Sequence, residues 1–130
     1  MDNRSDIWRS VDAIKTRFIA LSDNVWAMPE VCYTEARSSA EHLAELRHQG
    51  FRITENVADI PTALMGEWGE GGPVIAFLGE YDALPGLSQE AGVAEARPVE
   101  TGGHGHGCGH NLLGSAALLA ATAMKDWLAD

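Results

Sequence analysis

The chain has 130 residues, 45% of them hydrophobic and 22% charged, enough apolar material for one core and too ordinary a composition for a disordered or fibrous polypeptide. Nine Lys and Arg stand against 19 Asp and Glu, a formal net charge of −10. Such a surface repels polyanions and anionic bilayers, so the reading is no nucleic acid and no membrane as partner.

Ile7, Val11, Ile14, Phe18, Leu21, Val25 and Met28 recur at alternating spacings of four and three, an amphipathic helix that Pro29 ends. A second helix is expected over roughly 34–49, with Thr34 as N-cap and Gly50 as its stop. The stripe is too short for a coiled-coil seam and suits ordinary helix packing. From Phe51 the texture alternates: Phe51, Ile53 and Val57 suggest one strand, and 62–68 and 73–79 two more, the last pair joined as a hairpin through Glu70-Gly71-Gly72. Val74-Ile75-Ala76-Phe77-Leu78 is continuously apolar and is expected to be a central strand buried on both faces. A last helix over about 111–128, rich in Ala and Leu, is expected to be mostly buried. Its most apolar run, 112–124, spans 13 residues broken by Gly114, Ser115 and Thr122, too short to cross a bilayer.

Cys32 and Cys108 are too few for a disulfide framework, no secretory leader is visible, and a cytoplasmic protein is expected. Between Arg52 and Arg97 no Lys or Arg occurs, while Glu55, Asp59, Glu67, Glu70, Glu80, Asp82, Glu90 and Glu95 do. Most of these read as a solvated acidic face; one or two beside a bound cation is the sharper reading.

The long connection from Glu80 to His110 holds Pro85, Pro98 and seven glycines, without periodicity. Connections of this length in a small domain are usually functional or disordered. At its end, the stretch 102–111 sets His104, His106, Cys108 and His110 within seven positions. Imidazole and thiolate are favoured ligands of Zn²⁺ and similar ions, and the glycines let the backbone turn short side chains towards one point. The following helix N-terminus favours a thiolate at Cys108. A surface Gly-His loop with adventitious metal affinity is the bland alternative. A dinucleotide loop fails on register, and a phosphate loop lacks its lysine after Gly114. At the other end, Gly79-Glu80-Tyr81-Asp82-Ala83-Leu84-Pro85 leaves an apolar run, where carboxylates of α/β sheets are well placed for chemistry.

Asn24-Val25-Trp26 with Pro29-Glu30, then the stretch 79–89, then Gly105-His106-Gly107-Cys108-Gly109-His110-Asn111-Leu112-Leu113-Gly114 together resemble the two-metal aminoacylase/carboxypeptidase superfamily of metallopeptidases. The resemblance is to its amidohydrolase branch with a Cys-Gly-His motif, and it runs from about Arg17 to Lys125. It implies an α/β fold: the N-terminal part of a zinc-peptidase-like α/β/α catalytic domain, with a helical hairpin, a few strands and a buried helix. It implies two divalent ions in the full-length enzyme, Zn²⁺ or Mn²⁺, with Cys108 a bridging ligand, His110 a ligand and Asp82 the catalytic-site aspartate orienting a ligand; at most partial occupancy of that pair is expected in this chain. Glu80, His104, His106 and Asn111 would stand around them. The implied activity is hydrolysis of the amide bond of N-acyl or aminobenzoyl amino acids, a small-molecule amide substrate, in a homo-oligomer or with a partner subunit. The family's general-base glutamate follows the Cys-Gly-His motif; here only Asp126 and Asp130 are acidic after His110. Residues 1–130 are therefore expected to be a truncated catalytic domain without its lid domain, inactive by itself. The alternative is a non-catalytic metal-binding or interaction module using Cys108, His110 and His106.

Overall fold

The computed structural model describes residues 3–129, and the apolar stripe forms α1 (Asn3–Trp26). Its buried apolar positions are Phe18, Leu21 and Val25, which meet Leu118 of the last helix; Ile14, Leu46, Tyr81 and Leu119 close around them. Each such side chain contributes about 1.5–3 kcal/mol on leaving water, so this one cluster carries much of the stability. The first turns lie outside it, and Trp8 is 66% exposed.

α2 (Ala36–His48) starts two residues later than expected, and Thr34 is not its cap. The Thr34 hydroxyl donates to the Val31 carbonyl instead. Capping falls to Glu30, whose carboxylate accepts from the Ser38 N–H at 2.9 Å, the Ser38 hydroxyl at 3.0 Å and the Arg37 N–H at 3.1 Å. A full negative charge there also faces the positive end of the helix dipole. Burial alone would raise the Glu30 carboxyl, but the Ser38 and Arg37 donors outweigh it and hold it below the ordinary range. Gly50 ends the helix as expected, with φ +79° and its N–H on the Arg47 carbonyl. Glu45 ties α2 to α1 by accepting from Arg17 Nε at 2.7 Å.

β1 (Arg52–Glu55) and β2 (Leu64–Glu67) pair antiparallel, Arg52 opposite Glu67 and Glu55 opposite Leu64. Both are shorter than the alternation suggested. Val57 opens a 3-10 turn (Val57–Asp59) flanked and interrupted by left-handed residues at Asn56, Ala58 and Asp59. The sheet rests on α2 at Gly66, where a Cβ would come within 2.6 Å of Leu46.

Residues 73–79 correct the expectation of a buried central strand. They form no ladder among the described residues, and Val74 and Leu78 are each 87% exposed. Pro73 has no N–H to donate, and left-handed Gly69 and Gly71 carry the chain away from β2 rather than folding it back as a hairpin. A run this apolar needs neighbours on both edges and both faces. Its end comes close to the last helix, where Gly79 lies against Gly114 and Ala117.

α3 (His110–Ala129) lies against α1 on the side of Asn111, Ser115, Leu118 and Thr122, all buried. Asn111 Nδ2 donates to the Ser22 hydroxyl at 3.0 Å, and the Ser115 hydroxyl donates to the Phe18 carbonyl. Its outer side leaves Leu112 and Leu128 exposed. The result is an α/β arrangement: a helical hairpin, a two-stranded sheet and a C-terminal helix buried on its inner side. No described helix is long and apolar enough to cross a membrane.

Candidate metal centre

The long connection is pinned at both ends by single backbone pairings. The Ala83 N–H donates to the Glu30 carbonyl at 2.7 Å, and Leu84 exchanges both hydrogen bonds with Gly105 at 3.0 Å. The segment 80–84 is thus threaded between the turn after α1 and the glycine tract before α3. The tract can approach this closely because it lacks side chains. A Cβ on Gly105 would lie 1.9 Å from the Leu87 carbonyl oxygen, and one on Gly114 would lie 2.5 Å from that of Glu80.

This threading brings Glu80, Asp82 and His110 together. One ligand atom from each lies within 4.8 Å of the others. His110 is the first residue of α3, and its ring sits between the two carboxylates: Nδ1 is 2.7 Å from Asp82 Oδ1 and Nε2 is 2.8 Å from Glu80 Oε2. His110 and Asp82 are mostly buried, whereas the Glu80 side chain is 59% exposed. A neutral ring that donates Nδ1–H to Asp82 turns its Nε2 lone pair towards Glu80. A cation between them would take that lone pair and a Glu80 oxygen, with Asp82 fixing the tautomer from behind. One imidazole and two carboxylates grouped this closely could hold a metal ion.

The other sequence candidates fall in different places. Cys108 is exposed, and its thiol is not among the clustered donors; Cys32 is likewise a free, exposed thiol. His104 is exposed. The His106 Nε2 lies 3.0 Å from the Val25 carbonyl, which fixes the N–H there and leaves Nδ1 buried without a partner. Burial lowers the His106 pKa against the opposing Val25 hydrogen bond, with His110 lowering it further and Asp82 opposing. Asn111 is directed into the α1 contact rather than towards the cluster. A loop-only ligand set of His106, Cys108 and His110 is not brought together among the described residues.

Behind the cluster lies a buried polar layer for which the sequence offered no local signal. The His42 ring stacks obliquely on Tyr81 with centroids 4.7 Å apart, its Nδ1 on the Ser38 carbonyl and its Nε2 buried without a partner. Burial lowers the His42 pKa. The Tyr81 hydroxyl donates to the Thr62 carbonyl; burial, with Glu35 nearby, pushes its pKa up to about 12. The Thr62 hydroxyl in turn donates to buried Glu35 at 2.8 Å. Tyr81, between the two cluster carboxylates in sequence, is thereby anchored to α2 and to the turn just before β2.

No protein-family model matches the chain. It is 52% identical over 120 residues to a p-aminobenzoyl-glutamate hydrolase subunit of Escherichia coli (strain K12), covering 92% of this chain and 25% of that protein. It is 31% identical over 126 residues to the Xaa-Arg dipeptidase of Mus musculus and 29% over 128 to that of Homo sapiens, in each case covering 88% of this chain. The chain spans about a quarter of the length of these relatives. Over nearly all of its own length, it is a close homologue of the p-aminobenzoyl-glutamate hydrolase protein.

Proposed function

We propose that this chain is the metal-site portion of a metal-dependent amidohydrolase that cleaves the amide bond of N-acyl amino acids, with p-aminobenzoyl-glutamate as the leading substrate. The observation that carries the reading is the seating of His110 between Asp82 and Glu80, within a chain 52% identical to a hydrolase of that substrate. His110 and Glu80 would hold a divalent ion, Zn²⁺ or Mn²⁺, and Asp82 would keep the imidazole in its ligating tautomer. Such an ion supplies Lewis acidity to an amide carbonyl. A second ion with Cys108 as its ligand belongs to the same proposal, as does a cytoplasmic location. So does association with a further copy or a partner subunit, for which the exposed apolar run 74–78 is the support.

No general base is assigned within this chain. The three clustered side chains are committed to one another, and Asp126 is paired with Lys125. Glutamates from the remaining length of the relatives are where the proposal puts that base.

The test is titration of the chain with Mn²⁺, followed by electron paramagnetic resonance. One site is expected in the native protein, lost in His110→Ala with the helical circular dichroism retained. Addition of p-aminobenzoyl-glutamate should alter the bound-Mn²⁺ spectrum. A native chain that binds no Mn²⁺, a His110→Ala variant that binds equally, or a spectrum indifferent to the substrate would refute the reading.

A further inference from the structure

A cavity of about 410 Å³ opens beside the cluster, and Glu80 and Asp82 form part of its wall. The rest comes mainly from two other stretches: Cys32, Tyr33 and Glu35 from the turn before α2, and the approach to β2 between Ile60 and Leu64. Its size falls within the about 300–1,000 Å³ typical of small-molecule sites. We propose that this cavity is the subsite for the uncharged aromatic acyl half of the substrate, and that the dicarboxylate half lies on the opposite side of the cluster. The assignment rests on the amidohydrolase reading and names which end of the substrate faces these residues.

Charge makes the choice. The lining contains no Lys, Arg or His, and it contains three carboxylates, Glu35, Glu80 and Asp82. A glutamate moiety carries two negative charges; even with Glu80 and Asp82 offset by His110 and the proposed ion, it would face Glu35 with no Lys, Arg or His in the wall to pair its own carboxylates. A neutral aryl group meets no such repulsion, and Ile60, Ala63 and Leu64 give it apolar surface to cover. Tyr33 supplies the aromatic wall. It is held in the left-handed region at φ 66°, uncommon for a residue with a Cβ, and it is 70% exposed where a packed core would have drawn it in. Backbone conformations of this kind gather at ligand-binding turns. Offset stacking of a ligand ring on Tyr33 would recover that exposed surface.

The test uses the full chain, labelled with ¹⁵N and free of metal, and two probes read by amide NMR. One is p-aminobenzamide, a neutral aryl amide; the other is glutarate, a dianion resembling the glutamate half. The aryl probe should shift the amides of Tyr33, Ile60 and Ala63 with a dissociation constant on the order of millimolar, as suits so small a ligand. Glutarate should leave them unmoved. Tyr33→Ala should weaken aryl binding about fivefold or more, while Tyr33→Phe stays within about twofold. Glutarate shifting the same amides, the aryl probe shifting only residues elsewhere, or Tyr33→Ala binding as tightly as the native chain would overturn the assignment. Mn²⁺ titration of the same samples separates the two ideas. Metal binding without aryl binding overturns the subsite alone; aryl binding without metal binding leaves the cavity's selectivity standing and overturns the amidohydrolase reading.

Discussion

Gly114→Ala tests whether the close approach of α3 to the Glu80 backbone sets the metal site. Two effects of opposite sign compete. In a helix interior, Ala is favoured over Gly by roughly 0.5–1 kcal/mol. Against this, the new Cβ would sit 2.5 Å from the Glu80 carbonyl oxygen and 2.8 Å from His42 Nε2. Ordinary contact begins at 3.4 Å, so the helix or the extended segment at Glu80 must yield by about 0.9 Å in a region already closely packed. Overpacking of that kind costs about 1–3 kcal/mol, which outweighs the propensity gain and leaves a net loss of roughly 0.5–2 kcal/mol. The midpoint of thermal unfolding should therefore fall by roughly 2–8 °C. The larger effect should be on metal. His110 lies one turn before Gly114, so the displacement separates it from the Glu80 carboxylate, and Mn²⁺ affinity should fall about tenfold or more. Thermal unfolding by circular dichroism and Mn²⁺ titration by electron paramagnetic resonance check both. A variant that melts higher than the native chain and binds Mn²⁺ equally well would show that this contact does not position Glu80.

Two further outcomes follow from the same geometry. Asp82→Asn keeps a hydrogen-bond acceptor beside His110 Nδ1 but removes the charge that makes the ring a better ligand, so Mn²⁺ affinity should drop about 10–100-fold with little change in unfolding temperature; undiminished affinity would remove Asp82 from its orienting role. Glu30→Gln should cost about 1–2 kcal/mol at neutral pH, measured by urea unfolding, because the amide presents donors where Ser38 and Arg37 already donate. Since the Glu30 carboxyl is held below its ordinary range, its stabilisation is present above the unfolded-state pKa and lost as pH falls through the folded value. The variant should accordingly lose less stability on acidification than the native chain, the remainder coming from Glu45, whose carboxyl is held down against burial by Arg17 and Gln49.

The helical hairpin was legible because its signal is local: the spacing of Phe18, Leu21 and Val25 selects one face, and that face is the buried one. Gly50 and Pro29 punctuate as their backbone chemistry requires. The cap of α2 was misplaced because the side chain that does the work, Glu30, lies eight residues before Ser38 and reaches it only once the turn is formed. The run 74–78 shows the limit of composition. Hydrophobicity says that a segment wants burial, but a ladder also needs a partner in register, and among the described residues there is none. Motif and position singled out His110 and Asp82, and the fold groups both with Glu80. An i, i+2 spacing on an extended segment puts two carboxylates on one side, which is the local clue that links Glu80 to Asp82. The cavity gave no such clue, since its wall is assembled from three separate stretches that only the fold juxtaposes.

The exposed run from Val74 to Leu78 has a colloidal consequence. Unpaired backbone groups flanked by bare apolar side chains are a template for intermolecular strand pairing. What opposes such encounters is the long-range repulsion of a net charge of −10. That repulsion vanishes near the isoelectric point of about 4.8 and is screened over roughly 10 Å at 0.1 M salt. The acidity that first read as a bar to nucleic acid thus also opposes self-association through this uncovered apolar run at neutral pH and low ionic strength.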